Sequence, residues 1–290
     1  MSHLSAEELR ELRRLHIQAG RRVDSPFSGD WRTAVRGRGM EFEEVREYYA
    51  GDDVRHIDWN VTARTGHPFV KVYREERELT VLLAVDVSAS TRVGSGGRDG
   101  RTDRRLQIAR IAGGIAYAGV RNRDQVGLVT FSDRVETWLS PRKTRGHVWN
   151  IIQQVFEVTG SHRDTDLSEA FGFIAQVQRR RAVLVLVSDF LDDGPWERAL
   201  GLLTRRHAVH AFVVDDPLDR GMAGLGLVDL VDAETGRTFL VDGSGWRERA
   251  SVEARVQMLH RAGAKAVAIS TAEDPFRALH QHFRRVGARR

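Results

Sequence analysis

Runs of aliphatic residues that end in polar residues recur along the chain and predict its central strands. An apolar run without alternation is typical of a strand that is covered on both faces in a parallel sheet. The runs are LTVLLAVDVSAS (79–90), QVGLVTFS (125–132), AVLVLVSDF (182–190), AVHAFVVDD (208–216) and KAVAIST (265–271). Segments with helical spacing of apolar residues follow most of them. The pattern therefore predicts an α/β fold with a doubly wound, mostly parallel sheet.

The segments between these runs predict the helices that cover the sheet. They lie at 5–20, 106–122, 147–158, 165–178, 195–206, 248–262 and 274–286. Two smaller features break the alternation. VETWLSP (135–141) predicts a short edge strand, and residues 226–242 alternate around a central turn, which predicts an inserted β-hairpin. The stretch 91–105 is rich in Gly and charge and predicts a loop.

Residues 21–78 differ from the rest of the chain in their content of Gly, aromatic residues and mixed charges. Only 69–78 alternate as a strand does. We interpret residues 1–78 as an N-terminal appendage, helical and irregular, that packs on a main domain at 79–290. Its acidic cluster is interrupted by basic residues, which favours internal salt bridges and loop caps over a binding role. The cluster comprises Glu41, Glu43, Glu44, Asp52, Asp53 and Asp58.

Three oxygen-bearing side chains stand at alternate positions where the first central run ends. They are Asp86, Ser88 and Ser90. Ligands of open α/β sheets bind beyond the carboxyl ends of the strands, so a binding site is expected at this point. Mg²⁺ takes about six oxygen ligands, and one carboxylate with two hydroxyls leaves its coordination incomplete. Such an ion could bind a carboxylate from another molecule.

Two further loops could supply oxygen ligands to the same ion. Asp189 ends the run at 182–190, and Thr165 stands at the start of the helix predicted at 165–178. The alternative is structural: Asp86 would cap a loop, the serines would bond to the backbone, and Thr165 would cap its helix. Both interpretations remain open at this point.

The order of these residues resembles a known metal site. In von Willebrand factor A (vWA) domains, the metal-ion-dependent adhesion site (MIDAS) uses the motif DxSxS, then a threonine, then an aspartate. The matching positions in this chain are Asp86, Ser88, Ser90, Thr165 and Asp189. The resemblance implies a bound Mg²⁺, or Mn²⁺ in its place. Residues 162–165 depart from the pattern, because they read HRDT where related domains commonly carry glycines before the threonine.

A second resemblance spreads over most of the chain. Residues 37–77 are similar to the signature segment of the DUF58 family, and residues 216–237 extend the similarity. DUF58 proteins often accompany MoxR-type AAA+ ATPases. The resemblance therefore implies a protein-binding adaptor, with such an ATPase or a client protein supplying the carboxylate.

Composition narrows the class of protein. A chain of 290 residues with 41% hydrophobic content can bury a substantial core, and it contains no cysteine for disulfides or thiolate ligands. No stretch has the roughly 20 apolar residues that a membrane span needs, and the polar start does not resemble a signal peptide. We expect a cytoplasmic protein. The net charge of +5 could indicate nucleic-acid binding, but the basic residues are scattered along the sequence, which disfavours it.

The enzyme that competes with the adaptor is a Mg²⁺-dependent phosphohydrolase. Haloacid-dehalogenase-like enzymes carry a second acid two residues after the nucleophile, where this chain has Ser88. The chain has only three lysines, Lys71, Lys143 and Lys265, and none ends a strand near the site. No G-x-S-x-G motif supports acyl transfer, and no histidine pair has zinc-ligand spacing. We therefore predict no catalytic activity.

Overall fold

The computed structural model describes residues 6–22, 30–31, 33–34, 40–75, 79–92, 104–157, 165–220, 226–231, 238–242 and 251–288. Contacts group the chain into two compact units. One is Arg36–Glu78, and the other combines Met1–Val35 with Leu79–Arg290. The first helix, α1 (Ala6–Arg22), belongs with the larger unit. The predicted division at residue 78 stays a prediction, and most of the predicted loop at 91–105 lies outside the described residues.

The smaller unit contains an antiparallel pair of strands that the sequence revealed only in part. Its elements are β1 (Met40–Glu47), α2 (Trp59–Thr65) and β2 (Phe69–Glu75). Strand β2 corresponds to the alternating segment, whereas β1 was missed. The register of β1 against β2 shifts between Phe42 and Glu44. Such a bulge changes the phase of the side chains, so the period of two on which strand prediction depends is lost.

Salt bridges and caps account for the three aspartates of the acidic cluster. Asp52 accepts two hydrogen bonds from the Arg46 guanidinium, at 2.7 and 2.8 Å. Asp53 bonds to the Arg55 side chain, at 2.7 Å. Asp58 caps α2. The structural interpretation of these three aspartates is confirmed.

A six-stranded sheet forms the centre of the larger unit. Its order is β5-β4-β3-β6-β7-β10, with β5 antiparallel to β4 and every other neighbour parallel. The strands of this unit, with the hairpin β8–β9, are β3 (Thr80–Asp86), β4 (Gln125–Phe131), β5 (Val135–Arg142), β6 (Val183–Ser188), β7 (Ala208–Asp215), β8 (Leu227–Val231), β9 (Thr238–Asp242) and β10 (Lys265–Ser270). Counted along the chain, the sheet order is 3-2-1-4-5-6, which is typical of doubly wound folds. The predicted fold class, edge strand and hairpin are confirmed.

Helices cover both faces of this sheet because the central strands are apolar on both sides. The helices that come after α2 are α3 (Arg104–Arg121), α4 (Arg145–Glu157), α5 (Leu167–Val177), α6 (Glu197–Arg206), α7 (Val252–Arg261) and α8 (Pro275–Ala288). Helices α1, α3, α4 and α8 pack on one face. Helices α5, α6 and α7 pack on the other. We call the edge of the sheet where its parallel strands end the carboxyl edge, and the edge where they begin the amino edge.

Helix α1 packs on α3 through a narrow apolar stripe. Leu15 and Ala19 are buried, whereas Ile17 is 51% exposed. His16 lies beside the Tyr117 hydroxyl, with 2.6 Å between its Nε2 and Tyr117 Oη. Helix α1 is therefore part of the main hydrophobic core. Among the described residues, no helix combines the length and apolarity that a bilayer span requires.

Truncating the buried side of α1 tests this packing. We expect Leu15→Ala to lower the free energy of unfolding by about 2–5 kcal/mol, since it leaves a cavity in the core. Ile17→Ala, on the exposed side of the same helix, should change it by less than about 0.5 kcal/mol. Urea denaturation followed by circular dichroism measures both. Equal effects of the two substitutions would contradict the packing.

Buried histidines should make the protein sensitive to acid. Burial, and then the positive charges of Lys265, His260 and Arg285, lower the pKa of His282 to about 4. The unfolded chain, with a histidine pKa near 6.5, takes up this proton first. Stability is therefore complete above that pH and is lost as the pH falls toward the native pKa. From His282 alone we expect a loss of about 2 kcal/mol between pH 7 and pH 5.

Urea denaturation at several pH values checks this prediction. His282→Leu should reduce the loss of stability on acidification. His67→Leu, at an exposed position of the smaller unit, should leave it unchanged. An identical pH dependence in the wild type and in His282→Leu would show that His282 is not responsible.

Candidate metal centre

Asp86 is the last residue of β3 and is buried, with 1% of its surface exposed. One carboxylate oxygen, Oδ1, accepts a hydrogen bond from the Ser88 amide at 2.9 Å. The other, Oδ2, accepts one from the Ser188 hydroxyl at 2.6 Å. Burial, and then the nearby charge of Asp189, raise the pKa of Asp86 to about 7. A positive charge that enters the site would therefore stabilise the ionised form of Asp86.

The two serines of the motif lie together beside this carboxylate. Their hydroxyl oxygens are 3.1 Å apart. A short 3-10 turn, Ala89–Arg92, comes after Ser88 and folds the chain back over the end of β3. Thr91 fixes the turn, because its hydroxyl donates to the Ser88 carbonyl at 2.7 Å. The DxSxS motif thus places one carboxylate and two hydroxyls at the carboxyl edge, and their role as metal ligands stays a prediction.

Asp189 comes directly after β6, the strand next to β3, and brings a second carboxylate to the same place. It is 2% exposed. Its Oδ1 accepts a hydrogen bond from the Leu191 amide at 3.1 Å. Its Oδ2 is buried and has no hydrogen-bond partner among the described residues. A buried carboxylate oxygen without a hydrogen bond is costly, so Oδ2 would gain from a cation in addition to the Arg104 guanidinium, which lies 3.8 Å away.

The backbone beside Asp189 is also unusual. Phe190 has a φ of 56°, in the left-handed region that bulky residues rarely adopt. Its amide donates to the Ser188 hydroxyl at 2.9 Å, and its ring packs near Trp196. These contacts hold a strained residue directly after the candidate ligand, as is common at binding sites.

A buried arginine that the sequence did not suggest faces the cluster. Arg104, the first residue of α3, is 4% exposed. Its Nη1 donates to the Ser90 carbonyl at 3.2 Å and lies 3.8 Å from Asp189 Oδ2. Its Nη2 bonds to Asp219, in the turn after β7. In the sequence Arg104 lies in a stretch dense in charge, where an arginine is ordinarily solvated, so no signal marked it.

A second buried arginine holds the backbone of the site. Arg255, on α7, donates from Nη1 to the Asp189 carbonyl at 2.6 Å. Its Nη2 lies 3.4 Å from Asp215 Oδ1, at the end of β7. Both side chains are at most 1% exposed. Arg255 therefore compensates Asp215 and leaves the Asp189 side chain to face the cluster.

Thr165 is the least connected of the predicted ligands. It is half-buried and precedes α5, but Asp166 caps that helix by accepting a hydrogen bond from the Glu169 amide. Within the described part of the chain, no hydrogen bond joins Thr165 to Asp86 or Asp189. Instead, Asp192 joins the two loops by accepting a hydrogen bond from the Leu167 amide at 2.8 Å. The role of Thr165 as a ligand stays a prediction.

The other candidate ligand atoms, those of Asp86, Ser88, Ser90 and Asp189, suit a hard cation. They are carboxylate and hydroxyl oxygens, which Mg²⁺ and Mn²⁺ prefer. Among the described residues there is no group of three or more His, Cys, Asp or Glu side chains that could hold a metal. A metal at this point would therefore depend on Asp86, Asp189 and the serine hydroxyls. The unsatisfied Oδ2 of Asp189 and the buried Asp86 fit such an ion.

Comparison with known proteins identifies one family and supports the fold. The sequence profile of the family described as "Protein of unknown function DUF58" matches residues 44–262. The uncharacterised protein Mb1516 of Mycobacterium bovis is 34% identical over 80% of this chain and 73% of its own length. Rv1480 of Mycobacterium tuberculosis gives the same values.

Solved structures show related folds at low identity. The conserved hypothetical protein BatB of Bacteroides thetaiotaomicron is 14% identical with a TM-score of 0.50, over 72% of this chain and 99% of that one. The SpRpn10 VWA domain is 10% identical with a TM-score of 0.41, over 70% of this chain and 93% of that one. The likeness to BatB supports the doubly wound fold alone.

Removing the buried guanidinium tests the charge balance of the site. We expect Arg104→Met to lower the free energy of unfolding by about 3–5 kcal/mol, since it leaves the buried Asp189 and the half-buried Asp219 without their cation. Asp189→Asn in the same chain should recover about 1 kcal/mol or more. Arg145→Met, at an exposed arginine, should have little effect. Denaturation of the wild type and these variants measures the coupling, and strict additivity would exclude it.

Proposed function

Because the chain belongs to the DUF58 family, we propose that it is an interaction protein whose carboxyl edge captures a carboxylate of a partner through a divalent cation. Mg²⁺ is the proposed ion, with Mn²⁺ as an equivalent. Asp86, Asp189 and the serine hydroxyls would hold it. The observation that carries the proposal is the buried pair of carboxylates, one of which has an oxygen without a hydrogen-bond partner among the described residues.

The position of this pair supports a binding role. The strand order of the sheet reverses between β3 and β6. Connections leave in opposite directions at such a point, and the crevice between them is where doubly wound folds bind ligands. Asp86 ends one of these strands and Asp189 comes directly after the other. The two carboxylates therefore flank the crevice.

The surrounding charges favour an anionic partner. Arg104 and Arg255 already compensate the aspartates next to the pair. If Asp86 and the serine hydroxyls bind the ion directly and Asp189 binds it through a water, the ion keeps part of its positive charge. Attraction for an external carboxylate then results from Coulomb's law in a poorly solvated site. An Asp or Glu side chain of a partner would supply this group.

The proposed partner is a MoxR-type AAA+ ATPase, as the family resemblance implies. In this proposal the chain recognises the ATPase or its client and breaks no bond. A cytoplasmic location would suit such a pair. One feature favours the competing phosphohydrolase, since Arg104 is a cation 3.8 Å from Asp189 that could neutralise a phosphate. The experiment must therefore measure binding and turnover together.

Titration with Mg²⁺ tests the ion. We expect wild-type protein to bind Mg²⁺ in calorimetry and to melt at a higher temperature with it. Asp86→Ala and Ser88→Ala should each weaken Mg²⁺ binding by roughly tenfold or more. Glu197→Gln removes an exposed acid in the first turn of α6, at the same edge, and should leave binding unchanged. Equal weakening by all three would mean a diffuse charge effect and no site.

Capture of the partner is measured with the same proteins. A MoxR-type ATPase from the same organism should be retained by the wild type and Glu197→Gln in Mg²⁺, and lost in chelator or in Asp86→Ala. Retention that persists in chelator would contradict the metal-dependent adaptor. Hydrolysis of p-nitrophenyl phosphate, abolished by Asp86→Asn, would favour the phosphohydrolase instead.

A further inference from the structure

The amino edge of the sheet, at the opposite ends of the strands from the metal centre, carries a pocket of about 400 Å³. Its polar lining is entirely basic among the described residues. The basic side chains are His260, Lys265, His282 and Arg285. Aliphatic residues, including Val267 and Val286, complete the wall.

Topology brings these side chains together from distant parts of the chain. Helices α7 and α8 run back along the sheet, so their last turns reach the amino edge. His260 lies in the last turn of α7, and Arg285 near the end of α8. Lys265 begins β10. The pocket therefore forms where two helices end and one strand begins.

His282 shows that the pocket is a built feature and not merely an exposed patch. It is 7% exposed and lines the pocket. Its Nε2 lies 2.9 Å from Nδ1 of His210, on β7, which leaves Nδ1 of His282 for another partner. Burial and the charges of Lys265, His260 and Arg285 lower its pKa. An anion in the pocket would relieve this repulsion.

We propose that this basic pocket binds a phosphate group carried by a small molecule. Phosphate has several charged oxygens and matches a set of converging cationic donors better than a single carboxylate does. The volume lies at the lower end of the range for small-molecule sites. The aliphatic wall can accept an apolar part of the ligand.

The rest of the amino edge strengthens the attraction. Exposed arginines stand near helix ends before β7, the neighbour of β10, and before β6, the next strand in the sheet. They are Arg179, Arg180 and Arg181 before β6, and Arg205 and Arg206 before β7. Basic groups that surround a pocket raise the local concentration of anions and speed their association. These arginines are distant in sequence from the pocket residues and meet them only in the fold.

Titration with inorganic phosphate and with adenosine monophosphate tests the pocket, against NaCl of equal ionic strength. We expect binding in calorimetry that falls at least tenfold in Lys265→Ala and in Arg285→Ala. Arg205→Ala makes the same change of charge at the same edge, outside the pocket, and should weaken binding much less than either pocket variant. Circular dichroism identifies any variant that fails to fold, and Lys265→Gln and Arg285→Gln then replace it.

Proton uptake gives a second readout that a structural role would not move. A bound phosphate should raise the pKa of His282, which burial and the positive charges of Lys265, His260 and Arg285 lower, because the phosphate's negative charge offsets those charges. His210 is the other titratable side chain in contact with His282. Calorimetry at pH 6 in buffers of different ionisation enthalpy should show protons taken up on binding. Uptake should be smaller in His282→Gln.

Three outcomes decide the proposal. Binding that is equal in wild type, Lys265→Ala and Arg285→Ala, or no greater than in NaCl, would overturn it. Capture by vesicles containing phosphatidylglycerol, lost in both variants, would support the pocket and assign the phosphate to a lipid headgroup. Affinity for duplex DNA that depends on Arg205 but not on Lys265 would overturn the pocket in favour of a general basic surface.

Discussion

The burial of two aspartates side by side is the constraint on which the carboxyl edge depends. Asp86 and Asp189 lie at the ends of neighbouring strands, with almost no exposed surface. Two carboxylates in such a place repel each other and lack water, so the structure must supply donors and cations. The Ser88 amide, the Ser188 hydroxyl and the buried Arg104 meet part of this need. Among the described residues, none donates a hydrogen bond to Asp189 Oδ2. This oxygen is the main reason for proposing a bound ion.

The same constraint explains why distant segments converge at this edge. Arg104 ties the start of α3 to the turn after β7. Arg255 ties α7 to the backbone of Asp189. Both arginines are buried and also pair with buried aspartates, Arg104 with Asp189 and Arg255 with Asp215, so these loops have few alternative positions.

The two edges of the sheet have opposite chemistry for a common reason. Helices on a doubly wound sheet begin at the carboxyl edge and end at the amino edge. Their dipoles place partial positive charge beside the aspartates and partial negative charge beside the basic residues. The dipoles thus favour the aspartates at one edge and the basic residues at the other. Neither requires a loop outside the described residues.

The sequence by itself determined the central strands, the covering helices, the hairpin and the DxSxS motif, because each depends on the spacing of apolar and polar residues within one short segment. It did not reveal β1, because a bulge near Phe42 breaks the period. It also could not place Ser188 beside Asp86, Arg104 beside Asp189, or Lys265 beside Arg285. Those contacts join residues that different elements carry, and only the crossing order of the strands and the direction of the helices decides which of them meet.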